Sequence, residues 1–242
     1  MEAVYTQLTN RATKLYRASA STSYNQGSPS SSSPSRILIA LAGPPESGKS
    51  TVAAEVVKRL NASSITGCPF AIVLPMDGFH LTRATLQAMK NSEEAIARRG
   101  VYWTFDGKGV VDLVTALYLT RNDLDKVHIA PSFDHVLKDP VEAAISIDPD
   151  AQVVILEGNW LLFNEVPWSA ISGLVDDTWF IDVDPALAVE RVARRHIRSG
   201  IETSWEQALY RAENNDMVNG DLVRAKLISP AVRVQSVEEF KC

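Results

Sequence analysis

Cysteine is nearly absent from this chain of 242 residues, where only Cys68 and Cys242 occur. Two cysteines so placed make no disulfide framework, so a reducing, cytoplasmic compartment is the expectation. Histidine is also sparse. His80, His128, His135 and His196 show no metal-ligand spacing with one another or with cysteine. Positive charge is not in excess. The formal net charge is −5, which excludes a global basic field for holding nucleic acid. No apolar run approaches the length of a membrane span, and the first residues lack the apolar core of a secretory signal. No repeat is evident, and the guanine-reading pattern Asn-Lys-x-Asp of GTP switches does not occur. What remains is an ordinary globular composition, 45% hydrophobic and 22% charged, long enough for one large or two small domains.

Residues 1–35 and 36–242 differ in character. Met1 to Ala18 reads as an amphipathic helix, with Val4, Leu8, Ala12 and Leu15 on one face and Arg11, Lys14 and Arg17 off it. Ser19 to Ser35 is rich in Ser, Pro and Gly and reads as a disordered tether. The whole arm is Ser-rich and poor in acids, which also fits a mitochondrial presequence. One helix docking on the domain explains its apolar stripe equally well.

From Arg36 onward, apolar strands alternate with helical segments. Ile37 to Ala42, Ala71 to Pro75, Val153 to Glu157, Thr178 to Val183 and Ala231 to Val234 read as strands. Leu81 to Arg99, Val110 to Thr120, Pro185 to Ser199 and Ser204 to Ala225 read as helical, and Val127 to Ala130 as a short extended piece. The alternation predicts an α/β fold with a parallel sheet covered on both faces.

Between the first strand and the helix of Val52, Val56 and Leu60 lies Gly43-Pro44-Pro45-Glu46-Ser47-Gly48-Lys49-Ser50-Thr51. It fits G-x-x-x-x-G-K-S/T, the phosphate loop, and both flanks are of the required kind. Such a loop turns backbone N–H groups inward, and the helix N-terminus adds partial positive charge. Lys49 would reach the outer phosphates of ATP, and the Ser50 hydroxyl would sit on Mg²⁺. Glu46 is unusual there, since a carboxylate repels a triphosphate; it is expected to point outward.

In an open parallel sheet, ligands bind beyond the carboxyl ends of the strands. Asp77 follows the second strand, where it could accept the proton of an acceptor hydroxyl; capping the next helix is the plainer role. Glu157 closes the third strand and suits a metal-side acid, or a buried acid paired with Lys49. Arg191, Arg194, Arg195 and Arg198 share one helix, with the density of charge expected of a lid over phosphates or of a solvated face. Arg99, Thr104-Phe105-Asp106 and Phe133-Asp134-His135 combine aromatic, acid and base as a polar metabolite requires, though ordinary turn chemistry would use the same residues.

The ordered set resembles the phosphoribulokinase/uridine kinase family of P-loop kinases. The residues that carry the likeness are the phosphate loop, Met76-Asp77-Gly78-Phe79-His80, Arg99-Gly100, Thr104-Phe105-Asp106, Pro131-Ser132-Phe133-Asp134, Glu157-Gly158-Asn159-Trp160-Leu161-Leu162 and Arg194-Arg195-His196. The match runs from about Arg36 to the C-terminus, and its nearest look is to the pantothenate kinase-like branch and to related sugar- or nucleoside-kinase-like proteins of bacteria and fungi. The resemblance implies a P-loop three-layer α/β/α sandwich with a five-stranded parallel sheet in the order 2-3-1-4-5 and a helical lid. It implies ATP and Mg²⁺, with the family's base on Asp77 and its lid arginines on Arg191 to Arg198. The nucleotide would meet Gly43, Glu46, Ser47, Gly48, Lys49, Ser50, Thr51 and Arg194, with catalytic parts for Lys49, Arg191 and Arg195. The acceptor would meet Asp77, His80, Arg99, Phe105, Asp106, Phe133, Asp134 and Glu157; the metal would meet Ser50 and Glu157. Asn215, Asp216 and Asn219 fall after the lid, where they border the nucleotide or stabilise the fold. Glu46 stands where the family commonly carries glycine, and the acceptor loops match neither uridine kinase nor pantothenate kinase closely.

The expectation is an ATP-dependent kinase for a hydroxyl-bearing small molecule, with no nucleic-acid or membrane partner and with a homodimer left open. The rival is a P-loop ATPase that couples hydrolysis to partner binding or assembly. Asp77 and the aromatic–acid loops favour the kinase, since a pure ATPase needs no acceptor pocket.

Overall fold

The computed structural model describes residues 1–25, 35–64, 68–123 and 125–237. Its centre is a parallel sheet of β1 (Ile37–Ala42), β2 (Ala71–Pro75), β5 (Val153–Glu157), β6 (Asp177–Val183) and β7 (Val232–Ser236). The spatial order is β2-β5-β1-β6-β7. Numbered among themselves these strands run 2-3-1-4-5; the labels shift because a hairpin of β3 (His128–Asp134) and β4 (Asp139–Ile147) intervenes in the chain. The helices are α1 (Glu2–Asn25), α2 (Lys49–Ala62), α3 (Arg83–Gln87), α4 (Ser92–Ala97), α5 (Gly107–Leu119), α6 (Pro185–Arg198), α7 (Trp205–Arg211) and α8 (Met217–Ala225).

The sheet is buried on both sides at its centre because β1 is apolar at every position and β5 at all but its last. In β1, Ile37, Ile39 and Leu41 join one core cluster and Leu38, Ala40 and Ala42 the other. This is the period-2 alternation of a strand, applied to a sheet with no wet face. The first cluster is closed by α1 and α2 through Leu8, Ala12, Val52, Val56 and Leu60. The second is closed by α5 and three loop aromatics, through Val110, Val114, Leu117, Trp160, Phe163 and Trp168. A separate small cluster of Val192, Ala193, Ala208 and Ala212 holds α6 against α7 and the turn after it.

The N-terminal helix is longer than expected. It continues through Asn25, because Ser19 to Asn25 contains neither Pro nor Gly to stop it. The rest of the predicted tether, 26–34, lies outside the described residues. Helix α1 is docked. Tyr5, Leu8 and Ala12 are buried on it. Arg11 clasps Asp177 through two hydrogen bonds, one of them from Nη2 at 3.0 Å, and Trp179 Nε1 donates to the same carboxylate at 2.7 Å. Arg59 of α2 reaches back to Glu2 at 2.7 Å.

Three further expectations are corrected. Leu81 to Arg99 is two short helices rather than one, with Thr82 capping α3 through the Thr85 N–H. Phe133-Asp134, read as a loop, is the end of β3, paired with Asp139 and Pro140 of β4. The helical stretch after Ser204 is interrupted at Ala212–Asp216, where a turn of π-helix joins α7 to α8. Among the described residues no helix is long and apolar enough to cross a membrane.

Candidate active site

The phosphate loop lies at the carboxyl end of β1, and its shape is set by close approaches. A Cβ on Gly43 would fall 2.2 Å from the Ile181 carbonyl oxygen of β6, so only glycine lets the loop leave the sheet there. Gly48 takes φ 88° as the residue that precedes α2. Glu46 takes φ 54°, a left-handed conformation that glycine adopts more cheaply.

A cleft of about 520 Å³ opens above the loop. At one end lie Glu46, Gly48, Lys49, Ser50, Thr51 and Glu157, joined by Asp77 from the turn after β2 and by Arg195 and Asp216 from the helices above. At the other end lie His80, Arg99, Phe105 and Phe133, with His135 and Lys138 from the hairpin. The two ends form one continuous space.

Lys49 is buried, and its Nζ donates to the Pro44 carbonyl at 2.8 Å. Burial depresses its ammonium to about 8, although Glu157, Asp77 and Glu46 oppose that shift. Glu157 is pushed above the usual carboxylate range, chiefly by burial; Lys49 opposes this and Asp77 adds to it. Ser50 Oγ donates to Glu157 Oε1 at 3.0 Å. Burial also lowers the imidazole of His80, whose Nδ1 lies 2.8 Å from the Asp77 carbonyl oxygen. The His80 ring packs against Phe105 at 4.0 Å and Phe133 at 4.9 Å, centroid to centroid. Arg99 spans three elements: it donates to the Lys138 and Leu81 carbonyls and, at 2.8 Å, to Asp139.

The cleft thus gathers Glu46, Gly48, Lys49, Ser50, Thr51, Asp77, His80, Arg99, Phe105, Phe133, Glu157 and Arg195 from the sequence-based set. It does not gather the others. Gly43 and Ser47 belong to the loop but do not line the cleft, Ser47 being fully buried. Asp106 caps α5, accepting the Gly109 N–H at 2.9 Å. Asp134 accepts the Val136 and Leu137 N–H groups at 2.7 and 2.9 Å, and those bonds hold its carboxyl below the usual range. Arg194 turns to solvent and pairs with Glu190. Arg191 does not line the cleft and ties α6 to the Glu46 carbonyl at 3.3 Å, Ser236 Oγ at 3.1 Å and the Val237 carbonyl at 3.1 Å.

Glu46 does not point outward. Its carboxylate meets Arg195 Nη1 at 2.7 Å. His135, read with the Phe133-Asp134 loop, lines the cleft, as do Asn159 and His196, which were quoted only as parts of motifs, and Lys138 and Arg211, which the sequence reading did not single out. Lys138 belongs to the unpredicted hairpin, so no strand pattern pointed to it.

A phosphate loop on a parallel sheet of this order, with an acid after the second strand and a helical pair above, defines a P-loop phosphotransferase. A "Putative uridine kinase" of Schizosaccharomyces pombe is 39% identical over 202 residues, covering 84% of each chain. An "ATP-dependent kinase-like protein notR'" of Aspergillus versicolor is 43% identical over 146 residues, 60% of this chain and 85% of its own. The crystal structure of a "putative fructose transport system kinase" from Silicibacter sp. TM1040 superposes with a TM-score of 0.70 at 29% identity, covering 90% of this chain and 98% of that one. No protein-family model matches. The chain belongs to the phosphoribulokinase/uridine kinase family of P-loop kinases.

Proposed function

We propose that this chain is an ATP-dependent small-molecule kinase that moves the γ-phosphate of ATP to a hydroxyl of a metabolite of nucleoside-, sugar- or pantothenate-like kind. The observation that carries this reading is the continuity of the cleft from Lys49 and Ser50, past Asp77, to the pocket of His80, Phe105 and Phe133. An enzyme that only hydrolysed ATP would have no use for the second half.

In this reading the loop amides and Lys49 hold the β- and γ-phosphates. A polyphosphate restores to the Lys49 ammonium the charge that burial disfavours. The acceptor lies against His80 and the two phenylalanines. Its hydroxyl points at Asp77, which takes the proton as the oxygen attacks phosphorus in line and ADP leaves. Arg195 neutralises charge on the transferring phosphoryl oxygens. Ser50 and Glu157 fit Mg²⁺, being hard oxygen donors 3.0 Å apart. No group of three or more His, Cys, Asp or Glu suited to a metal occurs among the described residues, which agrees with an ion held largely by substrate phosphates. Mg²⁺ would supply charge neutralisation on the β- and γ-oxygens.

The test is ADP release with Mg²⁺ and ATP against a panel of nucleosides, sugars and pantothenate-like alcohols, with Lys49→Ala as control. Acceptor-dependent release, lost in the control while cooperative melting is kept, is the expected result. Hydrolysis that no acceptor stimulates would favour an ATPase instead.

A further inference from the structure

Two carboxylates meet the guanidinium of Arg195. Glu46 of the phosphate loop takes Nη1 at 2.7 Å, and Asp216 lies 3.7 Å from Nη2. The two acids are not alike. Glu46 sits where phosphate oxygens would contest the same nitrogen. Asp216 is buried, and its other oxygen accepts from His196 Nε2 at 3.0 Å. His196 follows Arg195 on α6, so two consecutive residues of that helix meet one carboxylate. An ionised acid only accepts, so Nε2 is the ring atom that donates. Nδ1 is buried with no partner, which suits a bare lone pair better than an orphaned N–H. The ring then carries no charge, and the charge of Asp216 is left to Arg195.

Asp216 ends the π turn that joins α7 to α8, and Asn215 beside it is also buried. Single π turns within helices are frequent at functional sites. This one is anchored on both sides. Arg98 donates to Asn219 Oδ1 at 2.8 Å and to the Asn214 carbonyl at 3.4 Å. Four residues past Asp216, Gly220 lies against the phosphate loop, where a Cβ would stand 3.3 Å from Pro44 Cβ. Asp216 is thus held in place relative to the loop, whereas Arg195 is a long side chain with much rotamer freedom to lose.

We infer that Asp216 is a positioning residue for phosphoryl transfer: held by His196, it steers the Arg195 guanidinium over the phosphate end of the cleft. This rests on the kinase reading above and adds a part to it. Without a second acid, phosphates that displaced Glu46 would face an arginine free to swing to solvent, as Arg194 does one residue earlier. A His196–Asp216 pair that only bound α6 to the π turn would serve stability and leave the rate alone.

The test turns on Asp216→Asn, which keeps an oxygen for His196 and turns an amide NH₂ toward Arg195. It removes the charge and leaves the buried hydrogen bond. The readouts are ADP release with the most effective acceptor, affinity for a non-hydrolysable ATP analogue, and melting. Asp216→Asn should lower kcat about 10- to 100-fold, the usual cost of a misplaced group, with affinity for the analogue nearly unchanged. In an Arg195→Ala background the same change should cost nothing further, because the residue it acts through is gone. An undiminished kcat, or an equal further loss in the Arg195→Ala background, would overturn the inference. If Asp216→Asn does not melt cooperatively, two changes at His196 decide. A Gln amide nitrogen falls near the place of Nε2, and an Asn amide nitrogen near that of Nδ1. His196→Gln should keep kcat and His196→Asn should lower it; equal rates in the two would overturn the inference. ADP release that no acceptor stimulates would overturn the kinase reading instead, and the positioning role then stands or falls on the same comparisons made on basal hydrolysis.

Discussion

Arg195 of α6 and Glu46 of the phosphate loop form an ion pair, Nη1 to Oε1, of 2.7 Å. The arginine assigned above to the transferring phosphoryl group is held by a carboxylate at the place where phosphate oxygens would compete for it. Glu46→Gln removes the competitor and the repulsion. The apparent KM for ATP should fall about two- to fivefold, the range of a part-exposed ion pair. A raised KM would show that Glu46 helps to seat the nucleotide.

Arg195→Ala should lower kcat by about 10²- to 10³-fold, the usual worth of a group that stabilises transition-state charge. Arg194→Ala should change kcat little, since Arg194 faces solvent beside Glu190. Equal losses in both variants would mean that α6 moves as a charged surface rather than through one side chain.

Asp77→Asn keeps the shape of the side chain and removes the proton acceptor. Transfer should drop by about 10²- to 10⁴-fold, with affinity for a non-hydrolysable ATP analogue nearly unchanged. Near-normal transfer would refute the base assignment and leave Asp77 a structural part of its turn.

Lys49 gives a pH dependence with a definite sign. Its ammonium titrates near 8 in the ATP-free protein because of burial, and bound phosphates raise that value. Binding therefore takes up a proton above about pH 8, so affinity for the ATP analogue should be flat below neutrality. Above that point it should fall by up to about tenfold per pH unit. Calorimetry in buffers of different ionisation enthalpy reads the proton directly. Proton release, or a flat profile up to about pH 9.5, would contradict this.

Leu8 is fully buried on α1. Leu8→Ala should destabilise the protein by about 2–5 kcal/mol, as for other buried leucines, while the remaining folded protein keeps its ATP affinity. Chemical denaturation checks it. A change within about 0.5 kcal/mol, typical of surface sites, would show α1 to be an appendage.

The elements most legible in the sequence were those with one dominant signal. Strands β1 and β5 are apolar at nearly every position, and the phosphate loop announces itself by spacing. The hairpin gave no such signal. Residues 141–144 of β4 are exposed on both faces, Pro140 stands at its start and Ala143 takes φ 52°, so no alternation survives. Helix α6 was found with its four arginines, yet spacing alone could not say which of them faces the cleft. Packing of Val192, Ala193 and His196 turns Arg195 inward and Arg194 out. Arg211 escaped notice because the π turn at Ala212–Asp216 breaks the helical period by which α7 and α8 would have been read as one face.

The β3–β4 hairpin is fastened at the middle of β3 and on the β4 side of its turn, while the other turn residues stand free. Gly78 sits so close beneath it that a Cβ would lie 2.2 Å from the Pro131 carbonyl oxygen, and Arg99 pins Lys138 and Asp139. Val136 and Leu137, by contrast, are 90% and 64% exposed. A ribbon anchored in this way behaves as a replaceable cassette. Lengthening or recolouring its tip would redraw the far wall of the cleft without disturbing the start of α2, the turn after β2 and the end of β5, which carry Lys49, Asp77 and Glu157.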